Sequence, residues 1–303
     1  MHRILKLTPP IMLAASLISG ASASAADAVA QAGKSNAAGL LDMQAEFKTQ
    51  LHSKTFGEPL HLVSRDSGDR LHADVYAELS APFAEVATFL TKPEALCHVL
   101  FLHLNVRSCE AKHGPQSDVL TLTAGPKHGV SVGSTYSISY AMHVDSTNAD
   151  YLRVTLAAPN GPLSTSDYQI VFEATPLEGK RTFLHFSYGY NYGAMAKMAF
   201  NLYLATAGRT KIGFSVVGKT SDGKPQYVQG ERGSLERNVM RNYLALQAYT
   251  GVKTGTPAAQ MDARLRAWFA LTEQHSAQLH ELTLEEYLTQ KHEDLVKMAA
   301  TAQ

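Results

Sequence analysis

Between residues 136 and 190 the chain alternates apolar and polar side chains in four successive segments, and no other feature restricts its fold so strongly. Tyr136, Ile138, Tyr140 and Met142 fall on one side, opposite Ser137, Ser139 and His143. Leu152, Val154 and Leu156 oppose Tyr151, Arg153 and Thr155. Tyr168, Ile170 and Phe172 oppose Gln169, Val171 and Glu173, and Leu184, Phe186, Tyr188 and Tyr190 oppose Phe183, His185 and Ser187. A period of two puts successive side chains on opposite faces of a strand. Turn-forming stretches separate the segments: Asn148-Ala149-Asp150, Pro159-Asn160-Gly161-Pro162 and Glu178-Gly179-Lys180. The pattern predicts an antiparallel meander with one apolar face, which another element must cover.

The candidate cover is the stretch Gly233 to Gly251. Ser234 is placed to cap a helix there, and Gly251 to end it. At about 100° per residue, Leu235, Val239, Tyr243, Leu246 and Tyr249 share one face, while Arg237 and Arg241 fall on the other, expected to meet solvent. A curved sheet wrapped around one long late helix is the simplest packing of these parts.

The remaining chain reads in order. Residues 1–26 have a basic start, a short apolar run from Ile11 to Ile18, and the small residues Ala21-Ser22-Ala23-Ser24-Ala25-Ala26, the pattern of a secretory signal peptide. Export to the periplasm or the medium is the expectation. Residues 27–57 form a leader with one short amphipathic helix over 39–53, spaced by Leu40, Met43, Phe47 and Leu51. Strands at 60–64 and 73–79 pair as a hairpin around Asp66-Ser67-Gly68-Asp69. Two short helices follow, entered by Ser80-Ala81-Pro82-Phe83 and broken at Lys92-Pro93. Further strands are expected at 104–110 and 119–123, and a helix at 194–207. Residues 252–303 read as a helical extension: Thr256-Pro257 opens one helix, and Thr283-Leu284-Glu285-Glu286 is a capping box for the last.

Composition excludes some functions. The 27 basic and 27 acidic residues balance, so no electrostatic case exists for nucleic acid. Gly213-Phe214-Ser215-Val216-Val217-Gly218-Lys219-Thr220 matches a P-loop string, but its interior is bulky and β-prone and a turn follows it where a helix is required. Nucleotide binding is not expected. Gly129-Val130-Ser131-Val132-Gly133 matches a nucleophile-elbow string, yet a strand follows instead of a helix. The 13 histidines include no His-Glu-x-x-His string and no zinc spacing, so no metal site or cofactor is expected, and His143 and His185 are read as surface residues.

The order strand, two helices, antiparallel sheet and long late helix resembles the START-like (SRPBCC) helix-grip superfamily over about residues 58–251. Its carriers are strand 70–79, the helix entry Ala81-Pro82-Phe83-Ala84-Glu85-Val86, the meander 134–192 and helix 234–250. The resemblance implies an α+β, helix-grip fold. It also implies an apolar ligand, a lipid or other hydrophobic small molecule, held between sheet and helix. Candidate lining residues are the inward aromatics Tyr136, Tyr140, Tyr168, Phe172, Phe186 and Tyr188. Asn238, Asn242 and Tyr243 on the long helix join them, the asparagines to orient a polar head. Plain core packing is the competing reading for the aromatics, and hydrogen bonding to neighbouring backbone for the asparagines. An enzyme of cyclase or hydrolase type working in the same cavity is the alternative, ranked second because no charged residue falls on the inferred inner strand faces. A protein-interaction module using 252–303 is the third reading, which an exposed Trp268 and Phe269 would favour. Transient contact with a membrane or a protein is compatible with each.

The two cysteines, Cys97 and Cys109, both lie in the exported part. Cys97 sits in the second short helix and Cys109 near the end of the next strand. The reversal between them can bring their Cα atoms within the ~4.4–6.8 Å that a disulfide allows. A Cys97–Cys109 disulfide is expected, worth about 3 kcal/mol by chain entropy.

Overall fold

The computed structural model describes residues 35–53, 55–125, 135–205 and 208–301. The expected signal peptide and the Gly129–Gly133 string lie outside these residues. Eight strands form one antiparallel sheet: β1 (Leu60–Asp66), β2 (Arg70–Leu79), β3 (Val106–Lys112), β4 (Asp118–Ala124), β5 (Tyr136–Thr147), β6 (Leu152–Asn160), β7 (Thr165–Leu177) and β8 (Arg181–Tyr192). Their order is β1-β2-β8-β7-β6-β5-β4-β3. The predicted hairpin β1–β2 is present, with Leu62 opposite Val75, and the four-segment meander follows the sequence alternation. On the inner face, Ala73, Val75, Ala77, Leu156, Phe172, Leu184 and Phe186 are buried in one continuous core.

The helices are α1 (Ala37–Glu46), α2 (Lys48–Leu51), α3 (Phe83–Leu90), α4 (Pro93–Phe101), α5 (Ala194–Ala205), α6 (Gly230–Gly251), α7 (Pro257–Glu273), α8 (Ser276–Leu279) and α9 (Leu284–Thr301). The Gly213–Thr220 string contributes one strand of a small hairpin, β9 (Val216–Lys219) with β10 (Pro225–Tyr227), as its β-prone residues require. The long helix α6 lies against β1 and β2. It starts four residues before Ser234, after Gln229, and has no side-chain cap.

Two sequence expectations fail on the same physical ground, a second layer. Arg237 and Arg241, expected on a solvent face, are 2% and 5% exposed. Met240, Leu244 and Ala248 are buried on that side as well, and α7 covers it. The helix is therefore buried on nearly every side, with Glu236, Arg237 and Arg241 among its buried residues. Likewise His185, read as a surface histidine, is buried on the outer face of the sheet, whereas His143 is exposed as expected. There α1 packs across β7 and β8, and Leu40, Leu51, Tyr76, Tyr151 and Phe183 form a second small core.

The residues after α6 are bolted to the domain. The Trp268 indole donates to the Arg241 carbonyl at 2.9 Å and stacks on Tyr287 at 5.0 Å. The Tyr287 hydroxyl donates to the Leu102 carbonyl at 2.6 Å, and Gln290 to that of Leu104 at 3.0 Å. The capping box at Thr283 forms in both directions, Thr283 N–H to Glu286 and Glu286 N–H to Thr283 Oγ1. Trp268 is buried and Phe269 half-buried, so the exposed aromatic pair that would favour an interaction module is absent. Cys97 and Cys109 form a disulfide with Cα atoms 5.2 Å apart, tying α4 to β3.

Candidate functional site

The inner face of β7 and β8 ends in a cluster of tyrosines. Tyr168 and Tyr190 stack at 4.9 Å with planes 10° apart. Tyr140 meets Tyr168 edge-on at 6.3 Å, and Tyr188 lies 5.7 Å from Tyr190. Burial raises the pKa of all four, so each phenol keeps its proton. The Tyr168 hydroxyl bonds Thr165 Oγ1 at 2.7 Å. Backbone of Gly161 runs so close beneath this ring that a Cβ there would stand 2.3 Å from Tyr168 Cε2. Glycine is the residue that permits such an approach.

Between these tyrosines and the first half of α6 lies a cavity of about 730 Å³. Leu235 and Asn238 of α6 face it, with Ala196, Ala199 and Phe200 of α5 closing another side. Leu163, at φ 56°, stands at its rim in the turn before β7. A non-glycine residue in the left-handed region is uncommon and marks a turn held by its surroundings.

One end of the cavity is charged. Lys211, Arg237, Arg241 and Glu281 line it. Arg241 donates to Glu281 Oε1 at 2.9 Å and to the Leu279 carbonyl at 3.2 Å. Arg237 donates to the Ile212 carbonyl at 3.2 Å. Lys211 donates to the His280 carbonyl at 3.0 Å, and its Nζ is 3.9 Å from Glu281. Burial pushes the Lys211 ammonium down from its ordinary value, and Arg241 and Arg237 push the same way.

The loop carrying Lys211 is held by Glu236, which is fully buried on α6. Its carboxylate accepts from the N–H groups of Phe214 and Ser215 at 2.6 and 2.8 Å, from Ser215 Oγ at 2.7 Å and from Ser64 Oγ. Gly213 fits because a Cβ would stand 2.7 Å from Glu236 Oε2. A buried carboxylate with this many donors is well satisfied.

The residues singled out in the sequence divide between cavity and core. Tyr168, Tyr188 and Asn238 line the cavity. Tyr140 is buried against Tyr168, without itself lining the space. Phe172 and Phe186 stack at 5.0 Å in the filled core, and Tyr243 is buried there, its hydroxyl 3.3 Å from Glu58. Asn242 bonds the Asn238 carbonyl at 3.0 Å within its own helix. Tyr136 is 46% exposed at the start of β5. Tyr190, on the same inner face in the sequence, lines the cavity too, whereas sequence reasoning left out Phe200, Lys211, Arg237, Arg241 and Glu281. The available signal was that Met240, Leu244 and Ala248, on the same side of α6 as its arginines, are apolar.

Among the described residues no group of three or more His, Cys, Asp or Glu could hold a metal ion, and no helix is long and apolar enough to cross a membrane. The described lining also lacks a histidine paired with a carboxylate. His185 does have carboxylate partners, Asp74 and Glu173, but on the opposite face of the sheet.

No family model matches the sequence, and no curated protein does. Solved structures are similar over part of the chain. The Zhui aromatase/cyclase from Streptomyces sp. R1128 is 13% identical, with 66% of this chain and 94% of that one covered and a TM-score of 0.35. A START superfamily protein from Mycobacterium smegmatis is 15% identical, with 49% and 92% covered and a TM-score of 0.31. Norcoclaurine synthase from Thalictrum flavum is 14% identical, with 47% and 76% covered and a TM-score of 0.31. Likenesses this distant carry no argument about what the chain does. The fold rests on the chain's own strand order and on the long helix packed against the inner face of its sheet, and it is a helix-grip α+β fold.

Proposed function

We propose that the chain binds a hydrophobic small molecule of the lipid or amphiphile class in the cavity between β7–β8 and α6, and carries it outside the cytoplasm. The observation that supports this most is the cavity itself. Its 730 Å³ lies within the ~300–1,000 Å³ of small-molecule sites, and aromatic and aliphatic side chains make most of its wall. Export is supported by the sequence pattern of residues 1–26 and by the disulfide, which persists in oxidising compartments. Binding ranks ahead of catalysis because the described lining brings together no nucleophile and base pair.

A membrane is the proposed source or destination of the ligand. Helix α5, whose Ala196, Ala199 and Phe200 close the cavity, turns Met195, Met198 and Leu202 outward at 55%, 70% and 69% exposure. Residues 192–221 contain four basic residues and no acidic one, which suits an anionic lipid surface. Native mass spectrometry of the protein purified without detergent tests the binding reading. The expected result is a complex with one small molecule that organic solvent extracts. A ligand-free protein that also fails to bind Nile red would overturn it.

A further inference from the structure

The sorting of side chains along the cavity says something about the ligand's head. Tyr168, Tyr188, Tyr190 and Phe200 make one part of the wall apolar to weakly polar, while Lys211 and Arg241 both reach Glu281 and Arg237 stands one turn from Arg241 on α6, so the cations form a group of their own. Resting on the ligand-binding reading above, we propose that the ligand is an anionic amphiphile, its carboxylate or phosphate head received by Lys211, Arg237 and Arg241 and its apolar body lying against the tyrosines.

Charge is the first argument. Three cations line that end, and Glu281 is the one carboxylate among the described lining residues. Like charges brought together out of bulk water repel strongly, since the effective dielectric falls well below that of water. Burial lowers the Lys211 pKa most, and Arg241 and Arg237 lower it further. A bound oxyanion offsets the repulsion.

Geometry is the second argument. The two arginines stand one turn apart on α6, fixed at their carbonyl partners Ile212 and Leu279. Guanidinium groups present planar forks of N–H donors that match carboxylate and phosphate oxygens, and pre-ordered ones lose little freedom on binding. Ser234 and Asn238, on the same helix and in the same lining, add neutral hydrogen-bonding groups beside the cations. A neutral lipid would bury this end without matching its charge, at a desolvation cost that the rest of the cavity would have to offset.

Calorimetric titration with decanoate, decyl phosphate and 1-decanol tests the proposal, because the three share one chain length and differ in the head. The expected result is that at least one anion binds about tenfold or more tighter than decanol, and that added salt narrows the gap. Tighter decanoate points to a fatty-acid type of ligand, and tighter decyl phosphate to a lipid phosphate; both support the proposal. Lys211→Met should narrow the gap, whereas Glu281→Gln, which removes the competing carboxylate, should widen it severalfold. That opposite sign separates head-group recognition from a merely structural role. Equal affinity for all three ligands would overturn the anionic head and leave the hydrophobic-ligand reading standing. Binding of none of them, with no Nile red uptake, would overturn both.

Discussion

The imidazole of His185 lies flat on the ring of Tyr76, 4.6 Å away and 5° from parallel, with a carboxylate at each of its nitrogens. Nδ1 is 2.8 Å from Glu173 Oε2 and Nε2 is 2.9 Å from Asp74 Oδ1. Two acceptors require two donors, so the ring is an imidazolium. Tyr151 also donates to Glu173, and Arg153 pairs with it at 2.9 Å. This network sits under α1 on the face of the sheet opposite the cavity, and it fixes how the protein should respond to pH.

Burial alone would strip the His185 proton, but the bonds to Asp74 and Glu173 outweigh burial and push the group up to about 9. Burial likewise works against both carboxylates, and their partners hold Asp74 and Glu173 below the ordinary values. The signs follow. A raised histidine contributes stability that is full below its unfolded pKa of ~6.5 and is lost as pH rises through about 9. The depressed carboxylates contribute stability that is full above their unfolded values of about 4 and is lost as pH falls further. The melting temperature should therefore plateau between about pH 5 and 6.5 and decline on both sides. His185→Gln should flatten the alkaline decline. A mutant whose alkaline slope equals the wild type's would refute the assignment.

Lys291 is the corresponding anchor of the last helix. It is fully buried, and its ammonium donates to the carbonyls of Phe101, His103 and Val106 at 2.6, 2.8 and 2.6 Å. Lys291→Met keeps the length of the side chain and strands three buried acceptors. The expected loss is about 3–5 kcal/mol in denaturant unfolding. The chain's one tryptophan, Trp268, stacks on Tyr287 of the same helix, so its fluorescence reports whether the loss begins with undocking. A variant within about 1 kcal/mol of wild type would show that these carbonyls find other partners.

How much of this was legible in the sequence depended on what alternation can report. The inner face of β2 was plain from Ala73, Val75, Ala77 and Leu79. Its other face, His72, Asp74, Tyr76 and Glu78, has the pattern of a solvated surface, yet Asp74 and Glu78 are each 6% exposed. Polar side chains can be buried when they satisfy one another, and a period of two cannot tell a paired carboxylate from a wet one. The same limit hid Arg237 and Arg241. They were polar in the sequence and are interior in the fold, because the residues after Gly251 return over α6. Finding the cavity's charged end required knowing that Glu281 and Lys211, 70 residues apart, meet there.

The outward stripe of α5 leads to a membrane test. Exposed Met198 and Leu202 lie one turn apart, and each can bury its side chain in the acyl boundary of a bilayer, worth roughly 1.5–3 kcal/mol apiece. Met198→Glu with Leu202→Glu should reduce co-sedimentation with vesicles of phosphatidylglycerol and phosphatidylcholine by tenfold or more, by the same order-of-magnitude arithmetic. Both positions are exposed, so the thermal melt should stay put. Equal vesicle binding by this variant and the wild type would remove the membrane from the proposal while leaving the cavity's ligand untouched.

The cavity itself can be tested by filling it. Ala199 lines the space from α5 and is half-buried, so a larger side chain there can grow into the empty volume without displacing packed neighbours. Overpacking a filled core costs about 1–3 kcal/mol, whereas filling a true void is neutral or stabilising. Ala199→Phe should hold or raise the melting temperature and lower decanoate and Nile red affinity together, because it takes the volume of the apolar body and spares the cations. The wild-type and Ala199→Phe proteins are compared by thermal melts and by the same titrations. If the variant melts several degrees lower and binds both probes as before, the space beside Ala199 is not where the ligand sits.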